Sequence, residues 1–176
     1  MWTSIKGFLA KSEGCTLAEL AVECDVLEIG ALFGRSTIAL ASTARHVTSV
    51  DPHHGETLVN LYKNEDSLPT LRANLIAAGL MDRVTIVVAR IEQVANRFRD
   101  SQFDLIFVDG DHSAAACLRD YEIAARLVRP GGTIAIHDYG EVSAHLRDVT
   151  GVVDRFAAGR PLRIVKHLAI IENFRK

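Results

Sequence analysis

The sequence predicts an α/β fold with one doubly wound sheet of seven strands: five parallel strands, then an antiparallel hairpin, with helices on both faces. Two observations carry this prediction. Short apolar runs of strand length alternate with helical patterns along most of the 176 residues, which is typical of a parallel sheet. Near the end, two strand-like runs follow each other with almost no connector, and only antiparallel pairing allows so short a link.

The strands are predicted where apolar, mostly β-branched residues form short runs, as expected for strands covered on both faces. The five parallel strands are Val26–Ile29, Val47–Val50, Val84–Val88, Phe103–Val108 and Thr133–Ile136. The hairpin is predicted over Leu162–Lys166 and Leu168–Ile171.

The first two helices between strands are predicted from capping residues. Ser36 is expected to cap a helix through Ala44. Ser67, with Pro69 in the first turn, is expected to open a helix that Gly79 closes. The residues expected to face inward from this helix are Leu68, Leu71, Leu75 and Ile76.

Two later helices complete the alternation. Ser113 is expected to cap a helix that runs toward Val128, and Pro130-Gly131-Gly132 then predicts a turn into the fifth strand. A last helix is predicted over Glu141–Ala157.

The chain length predicts a single domain over residues 1–176. Within it we expect an N-terminal helical cover over 1–24, a ligand-binding core over 25–140, and a C-terminal helix and hairpin over 141–176. The formal net charge is −2 and no basic run stands out, so nucleic acid is not an expected partner.

The cysteines and the N-terminus bear on location. Cys15, Cys24 and Cys117 form neither a CxxC pair nor an even disulfide framework, and we expect buried reduced thiols. Met1–Ala10 has no signal-peptide pattern, and no apolar run approaches the ~18 residues of a membrane span. A cytoplasmic protein with no membrane partner is therefore predicted.

Two glycines follow the first strand. Gly30 and Gly34 have GxxxG spacing instead of the GxGxxG of dinucleotide sites, and they let the backbone turn tightly against a ligand. Glu28, just before them, adds negative charge where a phosphate would lie, which disfavours NAD and favours a cationic ligand. A merely tight turn is the alternative.

Asp51 ends the second strand, 21 residues beyond Gly30. A carboxylate at this position can accept hydrogen bonds from both hydroxyls of a ribose. The alternative is an Asp that starts a turn before Pro52.

Polar residues follow strands four and five as well. Asp109, Asp111 and His112 come directly after the fourth strand, and His137 and Asp138 after the fifth. Because open α/β sheets bind ligands at the carboxyl ends of their strands, these side chains are expected at one ligand-binding edge. Helix capping is the alternative for Asp111 and His112.

These segments together resemble the class I S-adenosylmethionine-dependent methyltransferases, specifically the small O-methyltransferase-like group called family 24. VLEIGALFGRSTIALA, VTSVDP, FDLIFVDGDHS and LVRPGGTIAIHDYG are similar to that group's successive motifs. Ser12-Glu13-Gly14 with Leu17, Leu20 and Ala21 is similar to its opening helix. The resemblance implies a Rossmann-like fold and S-adenosylmethionine as cofactor.

The resemblance also implies roles for individual residues. Glu28, Gly30, Ala31 and Gly34 would shape the pocket for the methionine part, and Asp51 would hold the ribose. Ala89-Arg90-Ile91 would pack near the adenine, although Arg90 replaces the expected acidic or hydroxyl residue. Asp109 would lie beside the sulfonium and the acceptor, with His112 also at the cofactor.

The predicted acceptor is a small hydroxylated metabolite such as a phenol, sugar or glycoside, and its hydroxyl must lose a proton. One route, whose ligands the resemblance implies, is a divalent metal, Mg²⁺ or Mn²⁺, on Asp109, His137 and Asp138. The histidine weakens the magnesium interpretation and admits Mn²⁺, Fe²⁺ or Zn²⁺. The other route is His137 as general base.

Several alternatives stay open. His112 and the pair His53 and His54 are reserve bases, and a solvated loop is the other interpretation of that pair. The stretch from Pro52 to Ser67 is a predicted lid over the acceptor. Two other functions are possible: an RNA or protein methyltransferase, or a nucleotide-binding domain without catalysis. A homo-oligomer in which a second copy closes the acceptor pocket is also possible. A basic patch for RNA would need the distant Arg97, Arg99, Arg155 and Arg160.

Overall fold

The computed structural model describes residues 2–54, 65–141, 143, 146–157 and 159–174. They form one seven-stranded sheet in the order β3-β2-β1-β4-β5-β7-β6. The first five strands pair in parallel, and β7 runs antiparallel to both β5 and β6. The strands are β1 Asp25–Ile29, β2 His46–Asp51, β3 Val84–Val88, β4 Phe103–Val108, β5 Val128–Ile136, β6 Arg163–Val165 and β7 Leu168–Ile171.

Helices cover both faces of this sheet. They are α1 Lys11–Leu20, α2 Arg35–Ala41, α3 Leu68–Ala78, α4 Ile91–Val94, α5 Ala114–Leu127 and α6 Arg147–Ala157, with short 3₁₀ turns over Trp2–Ser4, Met81–Arg83 and Ala95–Arg97. Successive residues of β4 point to opposite faces: Leu105 and Phe107 belong to the apolar cluster with α1–α3, and Ile106 and Val108 to the cluster with α4–α6. The predicted fold class, including the C-terminal hairpin, is confirmed.

The helix that follows β1 departs from its prediction. Gly34, with φ +88°, occupies the N-cap position, and α2 ends at Ala41 instead of Ala44. Ser36 lies inside the helix, and its hydroxyl donates to Glu28 Oε1 at 2.6 Å. The predicted Ser36 cap is therefore wrong, because a left-handed glycine starts this helix and leaves the serine for a buried contact.

Helix α3 keeps its predicted ends but buries fewer side chains. Ser67 and Gly79 occupy the two cap positions, yet the Ser67 hydroxyl pairs with His53 Nδ1 at 2.8 Å instead of capping the helix. Leu71 and Leu75 are fully buried, whereas Ile76 is 67% exposed. The inward prediction for Ile76 is wrong because the helix packs along one narrow stripe.

Three further boundaries differ from expectation. Strand β5 begins at Val128, so the residues of the predicted turn, Pro130-Gly131-Gly132, lie within the strand, where the register against β4 shifts. Pro130 and Gly131 are exposed, whereas Gly132 is buried. Helix α6 begins at Arg147 instead of Glu141. Cys117 is buried, but Cys15 is exposed and Cys24 half-buried, so burial of all three thiols was wrong; all three are free.

Residues 55–64 of the predicted lid lie outside the described part of the chain, so the lid stays a prediction. None of the described helices combines the length and the apolarity that crossing a membrane requires.

Candidate active site

Strand register brings the predicted site residues to one edge of the sheet. Ile29 of β1 pairs with Val50 of β2 and Val108 of β4, and Val108 pairs with Ile136 of β5. The residues that follow these partners are Gly30, Asp51, Asp109 and His137, so all four leave the sheet side by side. This is the carboxyl edge, where open α/β sheets place their ligands.

A cavity of about 680 Å³ lies over this edge. Its wall includes most of the predicted site residues, namely Gly30, Ala31, Asp51, Arg90, Asp109, His112, His137 and Asp138. The N-terminal segment 6–10 closes one side. Among the described residues, the predicted cofactor residues Glu28 and Gly34 lie outside this wall.

Gly30 permits the close approach of two strand exits. Its φ is +91°, and a Cβ at this position would overlap the backbone carbonyl of Asp109. The Asp109 N–H donates to the Ile29 carbonyl at 2.8 Å, which locks the two exits together. A side chain at position 30 would therefore push the first loop away from the carboxylate after β4.

Asp51 holds the first loop from the neighbouring strand. Its Oδ2 accepts from the N–H groups of Ala31 and Leu32 at 2.7 and 2.9 Å, and its Oδ1 accepts from the His53 N–H at 2.6 Å. The predicted ribose contact would be made by a carboxylate already oriented by three backbone donors.

Glu28 faces the protein interior. It is fully buried and accepts hydrogen bonds from the hydroxyls of Ser36, Thr37 and Ser49, each between 2.6 and 2.7 Å. Burial raises its pKa to about 7, against the lowering effect of those three donors. The expectation that its charge faces the ligand is wrong, because the side chain joins β1 to α2 and β2 beneath the cavity.

The exits of β4 and β5 form a dense cluster of acids and histidines. His137 Nδ1 lies 3.4 Å from Asp109 Oδ1 and 3.2 Å from Asp138 Oδ1. His112 Nε2 lies 2.7 Å from the other oxygen of Asp138. The side chains that follow β4 and β5 therefore lie close together, as predicted.

Asp109, His137 and Asp138 form a group whose side chains could together hold a metal ion. One ligand atom from each of the three lies within 4.8 Å of the others. Two carboxylate oxygens with one imidazole nitrogen fit a divalent ion, and the nitrogen favours Mn²⁺, Fe²⁺ or Zn²⁺ over Mg²⁺.

The carboxylates and histidines of this cluster shift one another's pKa values. Burial alone would lower the pKa values of His112 and His137, but the neighbouring carboxylates raise that of His112 to about 10 and that of His137 well above its ordinary range. Burial alone would raise the pKa values of Asp109 and Asp138, but the two histidines lower both. With no cation between them His137 holds its proton, which disfavours its predicted role as general base.

Two site residues were missed from the sequence. Glu13 of α1 is buried behind His137, with its Oε2 3.3 Å from His137 Nε2. Asp120 of α5 lines the cavity beside Gly110, pairs with Arg119, and has a pKa raised to about 6 by burial. A signal for Asp120 did exist, because an acid at i+3 from the buried Cys117 interrupts the apolar stripe of a helix.

His53 is 1% exposed, whereas His54 is exposed. A solvated loop is thus wrong for His53, whose Nδ1 pairs with the Ser67 hydroxyl. Burial lowers its pKa.

The fold and the ligand edge define the Rossmann-like methyltransferase class. Residues 27–139 match the family described as "Methyltransferase domain", methyltransferase 24. The chain therefore belongs to this family of methyltransferase domains.

Individual relatives agree with this assignment. The chain is 33% identical over 149 residues to the catechol O-methyltransferase of Mycobacterium tuberculosis, an alignment that spans 80% of this chain and 61% of that protein. It thus covers less than two thirds of this relative.

Solved structures share the fold. A cofactor-bound crystal structure from MTB superposes with a TM-score of 0.74 at 23% identity, covering 96% of this chain and 83% of the other. An O-methyltransferase from Bacillus cereus in complex with SAH gives a TM-score of 0.68 at 20% identity, covering 94% and 82%.

Proposed function

We propose that this domain binds S-adenosylmethionine and transfers its methyl group to a hydroxyl of a small acceptor. One observation carries the proposal: a single cavity joins the Gly30 loop and Asp51 to the acid and histidine cluster of Asp109, His137 and Asp138. The first group suits a donor with a ribose and a cationic centre, and the second suits activation of a hydroxyl. The relative named catechol O-methyltransferase makes a phenol the first acceptor to test.

The donor would lie along the loop after β1. Gly30 and Ala31 form the near wall, and Asp51 presents its carboxylate beside them. Arg90, which follows β3, lines the cavity where the adenine is expected, and Asp120 lines it beside Gly110.

Methyl transfer from a sulfonium is an in-line displacement that neutralises charge, so alignment and exclusion of water supply much of the rate. The chain contributes the walls: segment 6–10 on one side and the strand exits on the other. Asp109 lies between the Gly30 loop and His137, so its carboxylate is placed to orient both reactants.

Asp109, His137 and Asp138 would hold a divalent cation, which when bound would lower the pKa of an acceptor hydroxyl. His112 contacts Oδ2 of Asp138, which leaves Oδ1 of Asp138 directed toward His137 and the proposed cation. The general-base alternative requires His137 to lose its proton first.

Incubation with S-adenosylmethionine and catechol, in the presence of Mn²⁺ or Mg²⁺ and after chelation, tests this proposal. We expect a methylated catechol with Mn²⁺ and at least a tenfold lower rate for Asp109→Asn, since loss of even a partner behind a metal ligand commonly costs about 10- to 100-fold. Asp100→Asn, at an exposed aspartate paired with Arg126, is the matched control and keeps full activity.

The outcomes separate the two routes. Turnover that survives chelation but is lost in His137→Ala would exclude the metal and favour the histidine base. No turnover with catechol, other phenols, sugars or glycosides, despite tight donor binding, would reject catalysis on small hydroxylated acceptors.

A further inference from the structure

Glu13 is a carboxylate of the N-terminal helix that lies against the acid and histidine cluster. It is 1% exposed, and a buried carboxylate is stable only when its oxygens accept hydrogen bonds. Its Oε2 accepts from the Ala10 N–H at 2.6 Å, and its Oε1 accepts from the His167 N–H at 2.9 Å. The third contact, at 3.3 Å, is from Oε2 to His137 Nε2.

The backbone contacts of Glu13 decide the direction of that third contact. Each of its oxygens already accepts a backbone N–H, Oε2 from Ala10 and Oε1 from His167. A carboxylate can only accept hydrogen bonds. His137 Nε2 is therefore the donor in the contact at 3.3 Å.

The other ring nitrogen of His137 then has a defined task. With Nε2 held by Glu13, Nδ1 is the nitrogen that faces Asp109 Oδ1 at 3.4 Å and Asp138 Oδ1 at 3.2 Å. Metal-binding histidines commonly donate their second N–H to a carboxylate, which fixes the ring orientation and raises the basicity of the ligating nitrogen.

We propose that Glu13 is a positioning residue that holds His137 by its Nε2–H and directs Nδ1 into the cluster of Asp109 and Asp138. The N-terminal helix thereby becomes part of the site, although it lies outside the sheet. The consequence for metal affinity rests on the proposed function, whereas the orientation of His137 does not.

Glu13→Gln tests the metal half of this proposal. All three groups facing Glu13 are N–H donors, so the NH₂ of a glutamine must oppose at least one of them. Glu19→Gln is the matched control, because it removes the same charge from an exposed position of the same helix. We expect calorimetry to show Mn²⁺ binding about 10- to 100-fold weaker in Glu13→Gln and unchanged in Glu19→Gln.

Nitrogen-15 NMR of the His137 ring tests the orientation directly and needs no metal. In the wild-type protein we expect a protonated, slowly exchanging Nε2, and faster exchange of that proton in Glu13→Gln. A wild-type ring with an unprotonated Nε2 would overturn the proposal even if Glu13→Gln fails to fold.

The remaining outcomes are also decisive. A folded Glu13→Gln with wild-type Mn²⁺ affinity and wild-type His137 exchange would overturn the positioning role. If the wild-type protein binds no Mn²⁺, the proposed metal fails, and the NMR comparison alone supports or rejects the role of Glu13.

Discussion

Glu28 lies in β1, two residues before Gly30, and its buried side chain stabilises the fold beneath the cavity. Three hydroxyls satisfy its carboxyl group in a fully buried position, where burial raises the pKa from 4.5 to about 7. In the unfolded chain the same group titrates near its ordinary value. The folded state therefore binds the proton more tightly, and this difference links stability to pH.

The sign of the linkage gives a prediction for Glu28→Gln. Stability from the raised pKa is fully present below pH 4.5 and is lost as pH rises through about 7. The wild-type free energy of unfolding should thus fall by about 3 kcal/mol relative to Glu28→Gln across this range, at about 1.36 kcal/mol per pKa unit. Urea unfolding at several pH values measures it.

Glu19→Gln serves as control for Glu28→Gln, since it removes the same charge from an exposed helix position. Its stability difference from wild type should stay level with pH. A level difference for Glu28→Gln as well would show that the buried carboxyl titrates normally.

Asp51 combines a structural and a proposed binding task. Asp51→Ala removes the acceptor for three backbone N–H groups, so we expect a loss of about 1–3 kcal/mol in unfolding free energy together with weaker S-adenosylmethionine binding. Asp25→Ala, at the opposite end of the sheet in an exposed ion pair, is the comparison. Calorimetry with unchanged donor affinity in folded Asp51→Ala would refute the ribose assignment.

The connection between β1 and α2 packs closely against the loop that follows β4, because Gly30 lies against the backbone of Asp109. Gly30 has φ +91° and no room for a Cβ, whereas Gly79, the C-cap of α3, has φ +68° and open space around it. A Cβ at Gly79 would therefore cause backbone strain alone, whereas a Cβ at Gly30 would cause backbone strain and steric overlap.

Gly30→Ala and Gly79→Ala form a matched pair for this element. For Gly79→Ala we expect a loss of about 1 kcal/mol, which reflects left-handed strain alone. For Gly30→Ala we expect a loss of about 3 kcal/mol or more, with loss of donor binding, because the Asp109 carbonyl must also move. Equal losses in urea unfolding would contradict the close approach of the two loops.

At the scale of the whole molecule, one cavity spans segment 6–10 and the exits of β1, β2, β4 and β5. A ligand that bridges these parts binds the folded chain alone and therefore stabilises it. At 100 times its dissociation constant, such a ligand adds about 2.7 kcal/mol.

We therefore expect S-adenosylhomocysteine at that concentration to raise the melting temperature by about 5–10 °C for a domain of this size. NADH at the same concentration should give no shift, because the loop lacks the dinucleotide pattern. Thermal denaturation measures both, and a shift with NADH alone would contradict the donor assignment.

The strands, and which of them pair in parallel or as a hairpin, could be predicted from the chain itself. Periodicity and β-branched runs are local properties, and they located β3 and β4 with their observed bounds. Because residues directly after parallel strands must share one edge, Asp51, Asp109 and His137 could also be predicted to lie together. Helix ends were less predictable: Gly34 displaced Ser36 as cap because the serine hydroxyl found a buried partner.

The fold class and the strand ends that carry the candidate site follow from local patterns in the chain. That Glu28 points into the interior, and that Glu13, 124 positions from His137, contacts its ring, could be seen only after the chain was folded. Spacing along a chain sets which residues leave each strand. The partner that a buried polar side chain meets depends on how separate elements pack, and no local pattern records that meeting.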